Sequence, residues 1–273
     1  MDLSGFFHES ETLLETHSWT LVRHDSDVIS IEAIAEMLAD GIIKLLCRGR
    51  PQHYRAWRQC KDNGMLLSGS SREAIAAFIR QGLGLPEEPI IQDHLGGFVA
   101  EYLWYFLSHE INRVEIIRIE YPRFAPTDHG DDGLIIHRMP DGYLVFRLWE
   151  IKKYTGDSLV ANTVNTAYRQ LNAKATEYLI RYTSIGQELE NIELADFYSR
   201  LIEIWINAGP SVAAGVSVVT FLRCVTCQCF THFGNRFQRF TGPVRLQGLL
   251  MVIGDFSYFA RKVKKSRRVC GTL

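Results

Sequence analysis

Residues 127–155 read TDHGDDGLIIHRMPDGYLVFRLWEIKKYT, and the turn at the centre of this segment gives the first structural constraint. Pro140-Asp141-Gly142 is a turn signal, because proline fixes φ, aspartate can bond to its own backbone, and glycine tolerates a positive φ. The apolar runs on either side therefore predict the two arms of a β-hairpin.

The length of the turn sets the register of the hairpin. A three-residue loop with Gly142 in the left-handed conformation pairs Met139 with Tyr143. Counting outward from that pair places Asp132 opposite Glu150. Directly opposed side chains lie on one face with Cβ atoms about 5 Å apart, where two like charges destabilise the sheet.

Lys152 joins this pair of acids, because alternate side chains of a strand share a face and Lys152 is two residues from Glu150. A two-residue loop would instead place Asp131 opposite Glu150, since a shift of one residue moves every side chain to the other face. Asp131 is therefore the alternative ligand. Either register predicts two carboxylates and one lysine in one place.

Convergent carboxylates predict a cation that offsets their repulsion. Mg²⁺ prefers oxygen ligands and takes one or two carboxylates together with waters and substrate phosphate oxygens, and Mn²⁺ is expected to substitute for it. A lysine beside the metal is suited to orient or deprotonate a water molecule. The segment thus predicts a metal-dependent phosphodiesterase.

These residues resemble the signature of the PD-(D/E)xK, or restriction-endonuclease-like, nuclease superfamily, in which an aspartate and a hairpin precede Glu-x-Lys. The literal Pro-Asp dipeptide is absent, and Gly130-Asp131-Asp132 stands in its place. The resemblance implies that Asp132 and Glu150 are metal ligands, that the Ile151 carbonyl completes the set, and that Lys152 activates the water.

The same resemblance implies two further site residues. In the superfamily, a helix before the first core strand often carries an acid directed at the metal, and Glu101 has this place in a helix predicted over residues 97–109. A polar residue, often glutamine, follows on the next helix in several subfamilies, and Gln170 has that place in a helix predicted over residues 158–182. An exposed position remains the alternative for Glu101. The alternatives to Gln170 are Asn162, Asn165, Arg169 and Lys174.

The predicted order of elements supports the same fold. From about residue 91 the patterns give helix, strand, hairpin, helix and strand, which matches the α/β core of the superfamily, a mixed β-sheet flanked by helices. Residues 91–273 are therefore assigned to a nuclease core. Residues 1–90 are predicted as a mainly helical N-terminal extension, with one helix capped by Ser30. The periodicity over residues 189–208 predicts one further helix.

The long extension and the form Gly-Asp-Asp-Gly followed by Trp-Glu-x-Lys are also similar to the nuclease subunit of bacterial antiphage systems of the Hachiman type. This likeness implies a role in antiviral defence and a helicase partner subunit that restrains or delivers the nuclease.

Composition bounds these interpretations. The chain has 273 residues, 47% hydrophobic and 22% charged residues, and a net charge of −1, which is ordinary for a globular protein. No signal peptide and no apolar run of membrane-spanning length is recognised, so a cytoplasmic protein without membrane association is expected. The six cysteines are expected as reduced thiols, and Cys224, Cys227, Cys229 and His232 are weighed as a zinc site but lack a second well-spaced ligand pair.

Because the net charge is near zero, nucleic-acid binding must depend on local basic surfaces. Residues 48–61 combine basic and aromatic side chains that are suited to contact phosphates and stack on bases, with a solvated surface as the alternative. The basic tail at residues 261–268 is interpreted either as a phosphate-contacting stripe or as a frayed terminus. The expected partner is nucleic acid, DNA before RNA.

A second function remains open. In it, Asp132, Glu150 and Lys152 are an ordinary charge cluster, and the protein is a catalytically inactive module of nuclease fold that binds nucleic acid or a partner protein. A module of this kind binds DNA equally well in chelator and does not cleave it.

Overall fold

The computed structural model describes residues 3–64, 67, 69–85, 88–111, 114–122, 132–154, 156, 159–221 and 228–266. Within these residues seven strands form one sheet. They are β1 (Phe7–Leu13), β2 (Ser18–His24), β3 (Glu115–Ile119), β4 (Gly133–Arg138), β5 (Leu144–Lys153), β6 (Val212–Thr220) and β7 (Leu246–Val252). The strand order is β1-β2-β7-β6-β5-β4-β3.

Nine α-helices accompany the sheet in the same described residues. They are α1 (Ile31–Leu46), α2 (Pro51–Asn63), α3 (Gly69–Leu83), α4 (Gln92–Ile111), α5 (Val160–Gly186), α6 (Ile192–Ser199), α7 (Leu201–Asn207), α8 (Phe233–Arg236) and α9 (Phe256–Lys265). None of these helices is both long and apolar enough to cross a membrane.

The sheet is mixed, as predicted. Strands β2, β7, β6 and β5 are parallel, whereas β1 and the pair β4 and β3 run antiparallel to their neighbours. One face of the sheet packs in an apolar cluster with α1, α4 and α9, and the other packs in a second cluster with α5, α6 and α7. The prediction of a mixed sheet flanked by helices is therefore confirmed.

The hairpin has the predicted three-residue loop. The Met139 N–H donates to the Tyr143 carbonyl (3.0 Å), and Gly142 has a φ of +90°. The ladder continues to the pair Gly133 and Trp149. One step further along this register places Asp132 opposite Glu150.

Two glycines allow α4 to approach this hairpin closely. A Cβ atom at Gly133 would lie 2.2 Å from the Trp104 ring of α4, and one at Gly215 of β6 would lie 2.3 Å from the Trp149 ring. The two indole rings are themselves 5.8 Å apart. Since no larger side chain fits beneath either ring, these contacts fix α4 over the strand pair that carries the acids.

The segment 1–90 contains the predicted helices together with two strands. Ser30 caps α1 by accepting a hydrogen bond from the Ala33 N–H (3.2 Å), as expected. However, β2 pairs with β7, so the first part of the chain contributes strands to the same sheet as the predicted nuclease core.

The prediction of one helix over residues 189–208 was wrong, because the chain forms α6 and α7 with a break at Arg200 (φ −104°, ψ 1°). The rings of Phe197 and Trp205, one on each helix, both lie 6.3 Å from that of Phe146 on β5. The break thus lets both aromatic side chains pack against the same strand.

Candidate active site

Two acids meet beside β5, where β4 begins. Asp132 is 6% exposed and Glu150 is 0% exposed. Asp132 Oδ2 accepts a hydrogen bond from the Ile151 N–H (2.7 Å). The structure therefore brings together the three residues predicted to supply metal ligands.

The Asp132 bond also locates the Ile151 carbonyl. In an antiparallel strand, the N–H and C=O of one residue point toward the same neighbouring strand. The Ile151 N–H points toward β4, because it reaches Asp132 just ahead of the first residue of that strand. The Ile151 carbonyl consequently lies on the same side as the Asp132 carboxylate, as a metal ligand would require.

The two lysines at the end of β5 lie on opposite faces of the sheet. Lys152 Nζ is 2.6 Å from Glu150 Oε1, and the Lys152 side chain is 26% exposed. Lys153 Nζ is 2.6 Å from Asp93 Oδ1 on α4. The predicted strand phase, with Lys152 beside the acids and Lys153 away from them, is confirmed.

The Glu150 carboxylate is poorly solvated. Among the described residues, no donor forms a well-oriented hydrogen bond with either of its oxygens, although the ammonium group of Lys152 is within ion-pair distance. Burial raises the pKa of Glu150, the Asp132 carboxylate raises it further, and Lys152 acts in the opposite direction. In the absence of a further cation, Glu150 therefore tends to hold a proton.

The oxygen atoms of Asp132, Glu150 and the Ile151 carbonyl suit a small, hard cation. Two carboxylates and one backbone carbonyl are the oxygen ligands that Mg²⁺ takes, with waters or phosphate oxygens completing its shell. A cation would also offset the repulsion that raises the pKa of Glu150. Across the described residues, no group of three or more His, Cys, Asp or Glu side chains is placed to hold a metal ion, so the carbonyl is needed for a third protein ligand.

Glu101 and Gln170 are placed by the helices that flank the sheet. Glu101 is 4% exposed on α4, so the alternative of an exposed position is wrong. Helix α4 packs on the face opposite the Glu150 side chain. Gln170 Nε2 donates to the Tyr178 hydroxyl on the same helix (3.1 Å), which connects it to the core beneath α5.

Some predicted residues lie outside the described part of the chain. Asp131, the alternative ligand, is one of them. Cys224 and Cys227 of the zinc alternative are two more, whereas Cys229 is buried and His232 is exposed. The described structure thus places Asp132 at the site and does not describe its alternative.

The two basic segments are largely helical. Most of residues 48–61 belongs to α2, where Trp57 is fully buried and cannot stack on a base. The tail over residues 261–265 is part of α9, and Lys264 donates to the Glu88 carbonyl. Residues 267 and 268 lie outside the described chain. A frayed terminus is therefore wrong for residues 261–265.

Three polar contacts, one at the end of β5 and two on α1, were not predicted. They are the ion pair of Lys153 with Asp93, and the bonds that Asp40 accepts from Tyr54 and Arg58, both at 2.8 Å. An aspartate in the first turn of a helix is usually explained by the helix dipole. No sequence signal connects either acid to a partner on another element.

Compared with known proteins, the chain matches no protein-family model, and no curated protein matches it at a significant level. Its functional interpretation therefore depends on the chemistry of Asp132, Glu150 and Lys152.

Proposed function

We propose that the protein is a metal-dependent nuclease that hydrolyses phosphodiester bonds of nucleic acid, with DNA as the preferred substrate. The observation that carries this proposal is the burial of Glu150 beside Asp132 and Lys152, with neither carboxylate oxygen well hydrogen-bonded among the described residues. Burying such a group is unfavourable for folding alone. Groups that carry this penalty and have perturbed pKa values are concentrated at functional sites.

Each residue of the cluster has a distinct role in this proposal. The carboxylates of Asp132 and Glu150 and the carbonyl of Ile151 would hold Mg²⁺, which when bound would lower the pKa of a water molecule and stabilise the leaving oxygen. Lys152 is the most exposed member of the cluster. Its ammonium group would orient a phosphate oxygen; alternatively, once Lys152 has lost a proton to solvent, its neutral amine would accept a proton from the attacking water.

The restriction-endonuclease-like fold belongs to the same proposal. Its support is the order α4-β3-β4-β5-α5-β6, with the acids at the start of β4 and near the end of β5, and with helices on both faces of the sheet. The helicase partner and the role in antiphage defence stay predictions from the sequence resemblance.

The experiment compares Lys152→Ala with Lys153→Ala in a DNA-cleavage assay with Mg²⁺ or Mn²⁺. The two changes remove the same side chain from adjacent positions, and each leaves one acid without its lysine. Lys152→Ala should slow cleavage by about a hundredfold or more, the usual contribution of a positioned acid–base group. Lys153→Ala should retain most of the parent rate, and chelator should abolish cleavage by every variant.

Two results would contradict the proposal. If Lys153→Ala lost activity and Lys152→Ala kept it, the acid cluster would not be the catalytic site. If the parent cleaved neither DNA nor RNA with either metal but bound DNA equally well in chelator, the inactive binding module would be the correct function.

A further inference from the structure

On the α4 side of the sheet, a groove of about 1150 Å³ opens between α1, α2 and α4. Its walls include Met37 and Lys44 of α1, Tyr54 and Lys61 of α2, Tyr105 of α4, and Arg48, which lies between α1 and α2. We name it the α1–α4 groove.

The body of the groove is apolar and aromatic. Met37 and Tyr54 are half-buried. Tyr105 and Phe106 also line the groove, and their ring centroids are 5.3 Å apart at a near-perpendicular angle. Concave sites lined in this way with a few polar groups are typical of small-molecule sites.

The rim of the groove is positively charged. Lys44 and Arg48 are exposed and Lys61 is half-buried. The Arg48 guanidinium stacks over the Tyr121 ring at 3.9 Å, and the Lys61 ammonium lies 5.5 Å from the Trp57 ring. Aromatic contacts of this kind orient a cation without neutralising its charge.

The acids in the groove do not cancel this charge. Asp40 is engaged by Arg58, which donates to it at 2.8 Å and is also paired with Asp62. Glu36 is the other acidic side chain of the lining. Three rim cations therefore face one acid that has no cation within ion-pair distance among the described residues, and the groove favours an anion.

We propose that the α1–α4 groove binds a nucleoside phosphate, either as a free nucleotide or as one unit of a single strand. The rim cations would take the phosphate, and the aromatic wall would contact the base. The bonded group of Asp40, Tyr54 and Arg58 offers polar atoms to a sugar or to a base edge. A fatty acyl chain would instead place these polar side chains against methylene groups, which is unfavourable.

Helix α4 connects this groove to the candidate active site. Tyr105 lines the groove, and its neighbour Trp104 lies directly over Gly133, the residue that follows Asp132. A ligand that shifts α4 would therefore act on the hairpin that carries the acids. Binding in the groove itself does not depend on the proposed nuclease activity.

The test is calorimetric titration of the full chain in chelator, so that cleavage plays no part. The probes are ATP, adenosine and an oligothymidylate. The variant is Lys44→Ala/Arg48→Ala, and its matched control is Arg181→Ala/Arg236→Ala. The control also removes two positive charges, from exposed positions on α5 and α8, which pack on the other face of the sheet.

Loss of charged contacts to the phosphate should weaken binding about tenfold or more in the groove variant, while the control stays close to the parent. If the groove variant alone binds ATP more weakly, the ligand is a free nucleotide. If the groove variant alone binds oligothymidylate more weakly and ATP does not bind, the ligand is a single strand. Adenosine should bind more weakly than ATP. The single variant Lys44→Ala repeats the comparison if the double variant does not fold.

Two outcomes would overturn the proposal. One is no binding of ATP or oligothymidylate by the parent. The other is an equal loss of affinity in the groove variant and its control, which would mean that binding depends on the overall charge of the protein and not on the groove. Failure of Mg²⁺-dependent cleavage would leave these binding results unchanged, so the two proposals fail separately.

Discussion

Two glutamates are buried at the same sheet, and their surroundings differ. Glu120, just after β3, is 5% exposed and accepts hydrogen bonds from the Tyr198 hydroxyl and from Arg118 Nε (2.5 Å). Glu150 is 0% exposed, and among the described residues its close cation is Lys152, while the nearby Asp132 carboxylate opposes its charge.

This difference separates an acid that supports the fold from one that does not. The donors to Glu120 offset its desolvation and connect β3 to α6, because charged hydrogen bonds are among the stronger ones. Burial and the Glu120 carboxylate together raise the pKa of Tyr198, so its hydroxyl keeps the proton that it donates. Among the described residues, Glu150 has the Lys152 ammonium group as its close cation and the Asp132 carboxylate as a repelling neighbour, which fits the proposed metal site better than a role in stability.

The largest expected effect is on activity. Glu150→Gln should lower metal-dependent cleavage by about a hundredfold or more, because a neutral amide is a poor ligand for Mg²⁺. Glu120→Gln, the same chemical change at a glutamate that is also buried at the sheet, should keep a rate close to that of the parent. Single-turnover cleavage rates of folded protein test the pair. Equal losses in both variants would mean that Glu150 acts only through the fold.

For the free energy of unfolding, the expected loss is at Glu120 and not at Glu150. In chelator, Glu120→Gln should lower the free energy of unfolding by about 2 kcal/mol, since Arg118 and Tyr198 lose a charged acceptor. Glu150→Gln should be more stable than the parent at alkaline pH, by on the order of 1 kcal/mol. Denaturant unfolding of the parent and both variants, at mildly acidic and at alkaline pH, measures these differences.

The pH dependence follows from the direction of the pKa shift. The pKa of Glu150 is raised by folding, so the parent loses stability as the pH rises from the ordinary glutamate value through the folded one. Glutamine does not titrate, so the advantage of Glu150→Gln should grow over that window and be absent below it. A constant difference at all pH values would show that the folded protein does not hold Glu150 as a proton-binding acid.

The sequence predicted the Glu150 side of this comparison and not the Glu120 side. Turn chemistry at Gly142 set the hairpin register, and alternation then separated Lys152 from Lys153. Both rules act over short distances along the chain. Glu120 accepts a hydrogen bond from the Tyr198 hydroxyl, 78 residues further along the chain, and no periodicity in the sequence predicts such a contact.

The same limit applies to the sheet. Trp19 to Val22 has the composition of a strand, but its parallel pairing with β7 joins residues more than 220 positions apart, such as Trp19 and Gly248. Hydrophobic patterns identify strands and not their partners. The groove was missed for this reason as well, because it forms where three helices pack together and no motif marks it.

The smallest expected effect concerns Asp132→Asn in chelator, and two contributions to stability oppose each other there. The asparagine oxygen can still accept the Ile151 N–H bond that Asp132 accepts at 2.7 Å, but without a charge the bond is weaker. The change also removes the negative charge of Asp132, which raises the pKa of Glu150, so this pKa should fall toward its ordinary value.

At mildly acidic pH, where Glu150 holds its proton in both proteins, the Asp132→Asn variant should match the parent or be slightly less stable. As the pH rises, Glu150 must ionise beside the Asp132 carboxyl group in the parent and beside a neutral amide in the variant, so the difference should move in favour of the variant, by about 1 kcal/mol or less. Melting temperatures at the two pH values, with and without Mg²⁺, measure it, and saturating metal should stabilise the parent more than the variant by mass action. A difference that moved against Asp132→Asn with rising pH would mean that Asp132 does not repel Glu150, and the ligand pair would then need to be assigned elsewhere.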